Sequence, residues 1–285
     1  MQRADGGETA SAAALPESLY AAARAIVLAP DPMEKVHLAK VAGEAWRARR
    51  LSLGAVSTAE PMPDRPGRPP RPELLPPRAM PKRSTGKKGR IALLHSLAHI
   101  ELNAVDMTWD LIGRFVHVSM PRAFFDDWVQ VGCEEAGHFA LISERLAELG
   151  ANYGDLPAHD GLWQAAQATA GSLVARIAIV PLVLEARGLD VSPPIIASLE
   201  AAGDHASAAV LGVIYRDEKR HVAFGAKWFR HLCEQAGLAP EPTFHDLVRR
   251  HFRGAIKPPF NDRARAEAGL TPGFFKPLIP VARIA

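Results

Sequence analysis

The 285-residue sequence predicts an all-α protein built around four long helices, and three observations carry that prediction. Strand signals are scarce: 7% of residues are aromatic, and no Val/Ile/Thr alternation or Asn-Gly or Asp-Gly turn links apolar runs. Apolar residues instead recur at helical spacing over stretches of about 30 residues. Those stretches close at Gly150, Gly188 and Gly237, the residue type that ends helices at least steric cost.

Two shorter helical patterns, 16–28 and 32–51, open the chain, with Pro16 and Pro32 in their first turns. Segment 60–89 then holds nine prolines together with Arg65, Arg68, Arg71, Arg78, Lys82, Arg83, Lys87 and Lys88. Proline lacks the amide donor a helix or central strand needs, so this stretch is a connector. The long patterns follow at about 84–118, 121–149, 161–187 and 204–236, with a short segment from Pro193-Pro194 to near Gly203 before the last. The Pro- and Phe-rich end has one helical pattern at 243–252. The expected organisation is an N-terminal helical extension (1–53), a Pro/Arg-rich connector (54–89), a four-helix bundle (90–237) and an irregular C-terminal tail (238–285) packing on the bundle.

Composition narrows the class. Hydrophobic residues make up 48% and charged residues 23%, enough for a buried core and unlike a disordered chain. Cys133 and Cys233 form no CxxC, which argues against a disulfide framework or cysteine metal site and fits a reducing cytoplasm. The N-terminal 30 residues read as neither signal peptide nor membrane helix, because no apolar run nears the roughly 20 residues that span a bilayer. A net charge of +3 points only weakly to an acidic partner. The basic run 78–90 can meet RNA phosphates or an acidic protein, although no interleaved aromatics offer base stacking and a solvated linker is the commoner outcome.

The chemistry lies in a repeated spacing. Glu-x-x-His puts a carboxylate and an imidazole on one helix face, where both can reach one metal. Chance supplies about 0.7 such pairs in this composition, and the sequence holds three: Glu34/His37, Glu135/His138 and Glu218/His221. The last two each follow a lone acid at nearly the same distance, Glu101 by 34 residues and Glu185 by 33. Glu34/His37 has no such partner and is read as chance. On helical wheels Glu101 shares its face with Leu94, Leu97, Val105, Thr108 and Ile112, with His99, Asp106, Asp110 and Arg114 opposite. Glu185 shares its face with Val174, Ala178, Leu182 and Leu189. Glu135 and Glu218 likewise sit among apolar neighbours, with Arg220 turned away. Four inward carboxylates repel one another and lose hydration at several kcal/mol each unless protonated or bound to cations. Two divalent cations neutralise them. Oxygen-rich ligation with two imidazoles suits iron or manganese better than structural zinc.

These residues resemble the ferritin-like di-iron carboxylate superfamily, in which two helices each give a Glu and two give Glu-x-x-His. The resemblance covers about 89–236 and implies two iron ions, or manganese, held by Glu101, Glu135, His138, Glu185, Glu218 and His221. Asp217-Glu218-Lys219-Arg220-His221 is similar to the fourth-helix motif of soluble acyl-carrier desaturases. His99-Ile100-Glu101-Leu102-Asn103-Ala104 and Lys257-Pro258-Pro259-Phe260-Asn261 most resemble a bacterial ferritin-like family of unassigned function. The same resemblance implies that Asp217 holds His138 and Glu134 holds His221. Pro181 is expected to kink the third helix, and Tyr215 is a candidate to approach the metals. The remaining histidines, His95, His99 and His117 among them, are expected at the surface or in caps.

The function expected is O2 activation to hydroxylate or dehydrogenate a small-molecule or carrier-bound substrate, with an electron-donor protein as partner and a monomer or small homo-oligomer as assembly. An apolar lining of Leu97, Thr108, Val131, Phe139, Leu182, Leu211 and Ile214 is expected around the metals. The alternative is iron oxidation or handling without an organic substrate, and a third reading is a metal-bearing structural or RNA-binding module. The extension, the connector and the tail of roughly 50 residues argue against a compact shell-forming bundle.

Overall fold

The structure, a computed structural model, describes residues 16–80 and 86–280. Lys82 and Arg83 of the basic run, and the start of the first long pattern at Ser84, lie outside the described residues. The fold is all-helical: among the described residues, β-pairing is confined to two isolated bridges, Ser18 with Ser52 and Leu74 with Ala158.

Helix α1 (Leu19–Leu28) starts where the Ser18 hydroxyl accepts from Ala21 N at 3.2 Å. Helix α2 (Pro32–Arg47) starts at Asp31, which accepts from Glu34 N at 2.8 Å. The long helices α3 (Gly86–Arg114) and α4 (Arg122–Glu148) pack against each other, with α1 on α3 and α2 on α4. Gly150, at φ 77°, takes the left-handed conformation that ends α4.

The third long pattern divides. Helix α5 (Gly161–Gln167) stops, and α6 (Leu173–Ile179) begins afresh because Ser172 Oγ caps it from Ala175 N at 3.3 Å. Arg176 closes the break from inside, donating to Ala166 O at 2.7 Å and Thr169 Oγ1 at 2.9 Å. A π-helical turn (Val180–Glu185) containing Pro181 follows, and the chain continues without interruption into α7 (Ala186–Ala201). Pro181 thus widens the helix into a π turn, a common response to a lost i→i−4 bond. Gly188 is no stop; it lies inside α7, where its missing Cβ would stand 4.0 Å from Glu218 Cγ. Pro193-Pro194 starts no new helix either. The Leu189 carbonyl, which Pro193 has no N–H to serve, accepts from Asn261 Nδ2 at 3.2 Å.

Helix α8 (His205–Gln235), capped by Asp204, packs on α4, α7 and the π turn. The tail is more regular than expected. It holds α9 (Pro240–His251), α10 (Asp262–Glu267) and α11 (Pro272–Phe275), and α10 packs on α7 and α8.

The extension and connector cover the face of α3 opposite Glu101, so that face is not a solvent face. Asp106 is fully buried and pairs with Lys35 of α2 at 2.7 Å and with Arg68 of the connector at 3.0 Å. Asp110 pairs with Arg176 at 2.6 Å and with Arg114 at 2.7 Å. Lys35 also donates to the Ile26 and Val27 carbonyls at the end of α1. Burying these charges is tolerable because each is paired and hydrogen-bonded. His95 and His99, expected at the surface, are buried as well. His99 Nδ1 lies 2.8 Å from the Tyr153 hydroxyl, and His95 Nε2 accepts from Gly154 N at 2.9 Å.

Two apolar clusters result. One gathers Leu94, Ala98, Leu102, Phe139, Ile142, Leu211 and Ile214 at one end of the long helices. The other gathers Val105, Trp109, Val131, Ala178, Leu182, Leu189 and Val222 with the extension and tail. The four expected ligand glutamates fall at the seam between them. Among the described residues no helix is long and apolar enough to cross a membrane.

Candidate metal centre

Each of the four long helical segments delivers acid to the seam. Glu101, Glu135, His138 and Glu218 offer ligand atoms within 4.8 Å of one another, and so do Glu185, Glu218 and His221. The two sets share Glu218, and all six residues are buried. The spacing works because Glu and His at i and i+3 project from one face of α4 and again of α8, while the π turn ends at Glu185.

The atoms bridge the sets. His138 Nδ1 stands 3.3 Å from Glu101 and 3.4 Å from Glu135, while His221 Nδ1 stands 2.9 Å from the other Glu135 oxygen and 3.8 Å from Glu218. The imidazoles lie 5.9 Å apart. Many of these buried atoms have no hydrogen-bond partner: Glu101 Oε2, Glu135 Oε1, both oxygens of Glu185, Glu218 Oε2 and His221 Nδ1. Buried carboxylate oxygens are seldom left so. A cluster of them from four helical segments has the donor set of a metal site, and the residues can hold a metal ion.

Without cations, protons must carry the balance. Burial, then Glu135, pushes Glu185 up to about 8, and burial pushes Glu101 up to about 7. Burial also raises Glu218 well above the carboxylate range. Burial opposes a charged His138, but the carboxylates of Glu101 and Glu135 beside its Nδ1 prevail and raise it to about 12. Glu135 is held down against burial by His221 and His138.

The outer ring nitrogens are fixed by the two expected acids. His138 Nε2 lies 3.1 Å from Asp217, and His221 Nε2 lies 2.8 Å from Glu134. That arrangement sets the tautomer that leaves Nδ1 to a metal. Sequence reasoning turned Arg220 outward, yet its Nη2 donates to both acids, at 2.6 Å to Glu134 and 2.9 Å to Asp217. Its place one residue before His221 and two after Glu218 was the available signal.

Tyr215 does not reach the cluster. Its hydroxyl accepts from Asn261 Nδ2 at 3.2 Å, because the tail covers that side of α8. Glu34 and His37 are exposed on α2. Cys133 is a packed thiol that donates to Ala39 O at 3.4 Å.

Beside the cluster lies a cavity of about 370 Å3 reached by Glu101, Glu185 and Glu218. Leu97, Leu211 and Ile214 line it as expected; Thr108, Val131, Phe139 and Leu182 are packed elsewhere in the core. Sequence reasoning missed its other wall, which comes from the tail: Phe252, Ile256, Lys257, Phe260 and Arg265. In the sequence the Lys257-to-Asn261 run carries only a resemblance.

Fold and site together define an all-helical protein with a buried glutamate–histidine layer able to hold metal. The chain belongs to the family described as "Protein of unknown function (DUF455)", which it matches over residues 28–276. It is similar to an "Uncharacterized protein" of Haemophilus influenzae (strain ATCC 51907 / DSM 11121 / KW20 / Rd), 40% identical over 209 residues that cover 71% of this chain and 73% of the relative. No solved structure matches the chain.

Proposed function

We propose that the chain is a ferritin-like di-metal carboxylate oxidoreductase, with iron in both positions and manganese as the alternative, that hydroxylates or dehydrogenates a small organic substrate. The observation that carries this reading is the position of Glu101, Glu185 and Glu218 in the wall of a largely apolar cavity. An iron-handling site needs an acidic entry path for ions, whereas an apolar chamber against the ligands suits an organic molecule.

When bound, the metal pair supplies reduction of O2 by electrons from an external donor. The protein's part is positional. Glu101, Glu135, Glu185 and Glu218 balance two divalent charges; His138 and His221 are held by Asp217 and Glu134. The apolar clusters on both sides shield the layer from bulk water except where the cavity reaches it.

Purified protein should carry about two iron or manganese ions per chain, which Glu101, Glu135, His138, Glu185, Glu218 and His221 would hold. Glu101→Ala and His221→Ala should each lose metal while keeping helical content, since the surrounding core is apolar. Reduced without oxygen and then exposed to O2, the protein should oxidise an added organic compound and stop once its own metals are spent. Continued turnover of added Fe(II), with a ferric core growing in a large hollow assembly, would establish the iron-handling reading instead.

A further inference from the structure

The cavity wall carries two sets of polar side chains, and only Glu101, Glu185 and Glu218 belong to the metal layer. Its walls are apolar, with Leu97, Ile195, Leu211, Ile214, Ile256 and Phe260. At the opening stand Lys257, which is exposed, and Arg187, which is half-buried. Among the described residues Lys257 is hydrogen-bonded only through its carbonyl, which accepts from Arg187.

Arg187 is fixed by a single nitrogen. Its Nη1 donates to Asp190 at 3.2 Å, to Lys257 O at 3.1 Å and to Pro259 O at 2.8 Å. Nε and Nη2 have no protein acceptor among the described residues. The third cation, Arg265, already spends its fork on Asp190, at 2.8 and 2.7 Å, and stacks on Phe260 and Phe275. Arg265 is buried and neutralised by Asp190, so Lys257 and Arg187 make the opening positive, while the carboxylates of the layer would be neutralised once metal is bound.

We propose that this cavity binds a small apolar carboxylic acid, aliphatic or aromatic, with its carboxylate at Lys257 and Arg187 and its hydrocarbon directed toward Glu101, Glu185 and Glu218. That this ligand is the substrate rests on the function proposed above; that it binds does not. A volume of about 370 Å3 lies at the low end of small-molecule sites, so one compact molecule fills it. A cation meets the like charge of the opening. A neutral analogue leaves the donors of Arg187 to water. Fixing the guanidinium beforehand reduces the ordering cost of binding.

Gly188 allows the cavity to be filled deliberately. An added Cβ there meets nothing nearer than Glu218 Cγ at 4.0 Å, so Gly188→Leu is accommodated by the backbone while its side chain enters the space.

The test is anaerobic calorimetry on the metal-loaded full chain with decanoate and cinnamate, their alcohols decan-1-ol and cinnamyl alcohol, decylammonium, and S-decanoyl pantetheine. At least one acid should bind one-to-one, about tenfold or more tighter than its alcohol, and decylammonium should not bind. Lys257→Glu should weaken the acid about tenfold and Gly188→Leu should abolish binding, with metal content measured in both. Acids binding no tighter than alcohols, no binding by either acid, or affinity untouched in both variants would each overturn the proposal. Tighter binding of the pantetheine thioester than of decanoate would overturn it in favour of a carrier-delivered chain. A protein that binds the acids yet oxidises none keeps this site and ends the oxidase reading, so the two claims fail separately.

Discussion

His221 Nε2 lies 2.8 Å from Glu134, so the imidazole of α8 is oriented by the acid that immediately precedes a cluster glutamate on α4. The reverse link, His138 to Asp217 at 3.1 Å, makes the arrangement reciprocal, and Arg220 joins the two acids. Losing such an outer partner costs about 10–100-fold in metal affinity. Asp217→Ala and Glu134→Ala should each weaken metal binding by that order without abolishing it, and Arg220→Ala should weaken it less. Competitive titration with a chelator reads all three; curves matching the parent chain would reduce Asp217 and Glu134 to surface acids.

Metal-free protein should lose stability as pH rises. Burial holds Glu101 up at about 7 and Glu185 at about 8 in the fold, against the ordinary 4.5 of an unfolded chain. A raised carboxyl means that the folded state keeps a proton the unfolded chain releases. Its contribution is therefore complete below about pH 4.5 and is lost as pH climbs through 7 to 8. His138, raised from 6.5 to about 12, acts in the same direction above neutrality. Each group contributes at most about 1.4 kcal/mol per pH unit. Bound cations replace those protons, so thermal unfolding between about pH 5 and pH 8 should slope downward for the metal-free chain and flatten on loading. Equal slopes would contradict the assignment.

Lys35 ties the N-terminal helices to α3. Its amine is fully buried against Asp106 and two carbonyls of α1. Lys35→Met should cost about 3–5 kcal/mol, because Asp106 and those carbonyls then lose a buried donor. Chemical denaturation measures it. A change below about 1 kcal/mol would place the residue with ordinary surface ion pairs.

Asp190 holds the tail through Arg265, Arg187 and Asn261 N. Asp190→Ala should leave α7 helical but open the segment 252–262 to protease, faster than in the parent chain. An unchanged cleavage pattern would show that the aromatic contacts of α10 and α11 suffice.

How much of this was legible depended on distance along the chain. The Glu-x-x-His pairs and the lone acids one helix earlier were readable because ligands at i and i+3 share a face whatever the helix packs against. Elsewhere local signals misled. Gly188 and Pro193-Pro194 looked like punctuation; the structure spends the glycine on room beside Glu218 and the proline's vacated carbonyl on Asn261. His99 reads as a surface residue, and Asp106 and Asp110 as the side away from Glu101, because a helical wheel assumes one buried side, and α3 has two.

Helix periodicity and the two Glu-x-x-His pairs were set by the order of residues, since each depends on positions within one or two helical turns. Which carboxylate faces which imidazole, the part played by Arg220, and the cavity closed by residues 252–265 were decided by tertiary packing. Those features join groups from 37 to 87 positions apart, such as His138 with Glu101 and His221 with Glu134, and such pairs leave no period in the sequence.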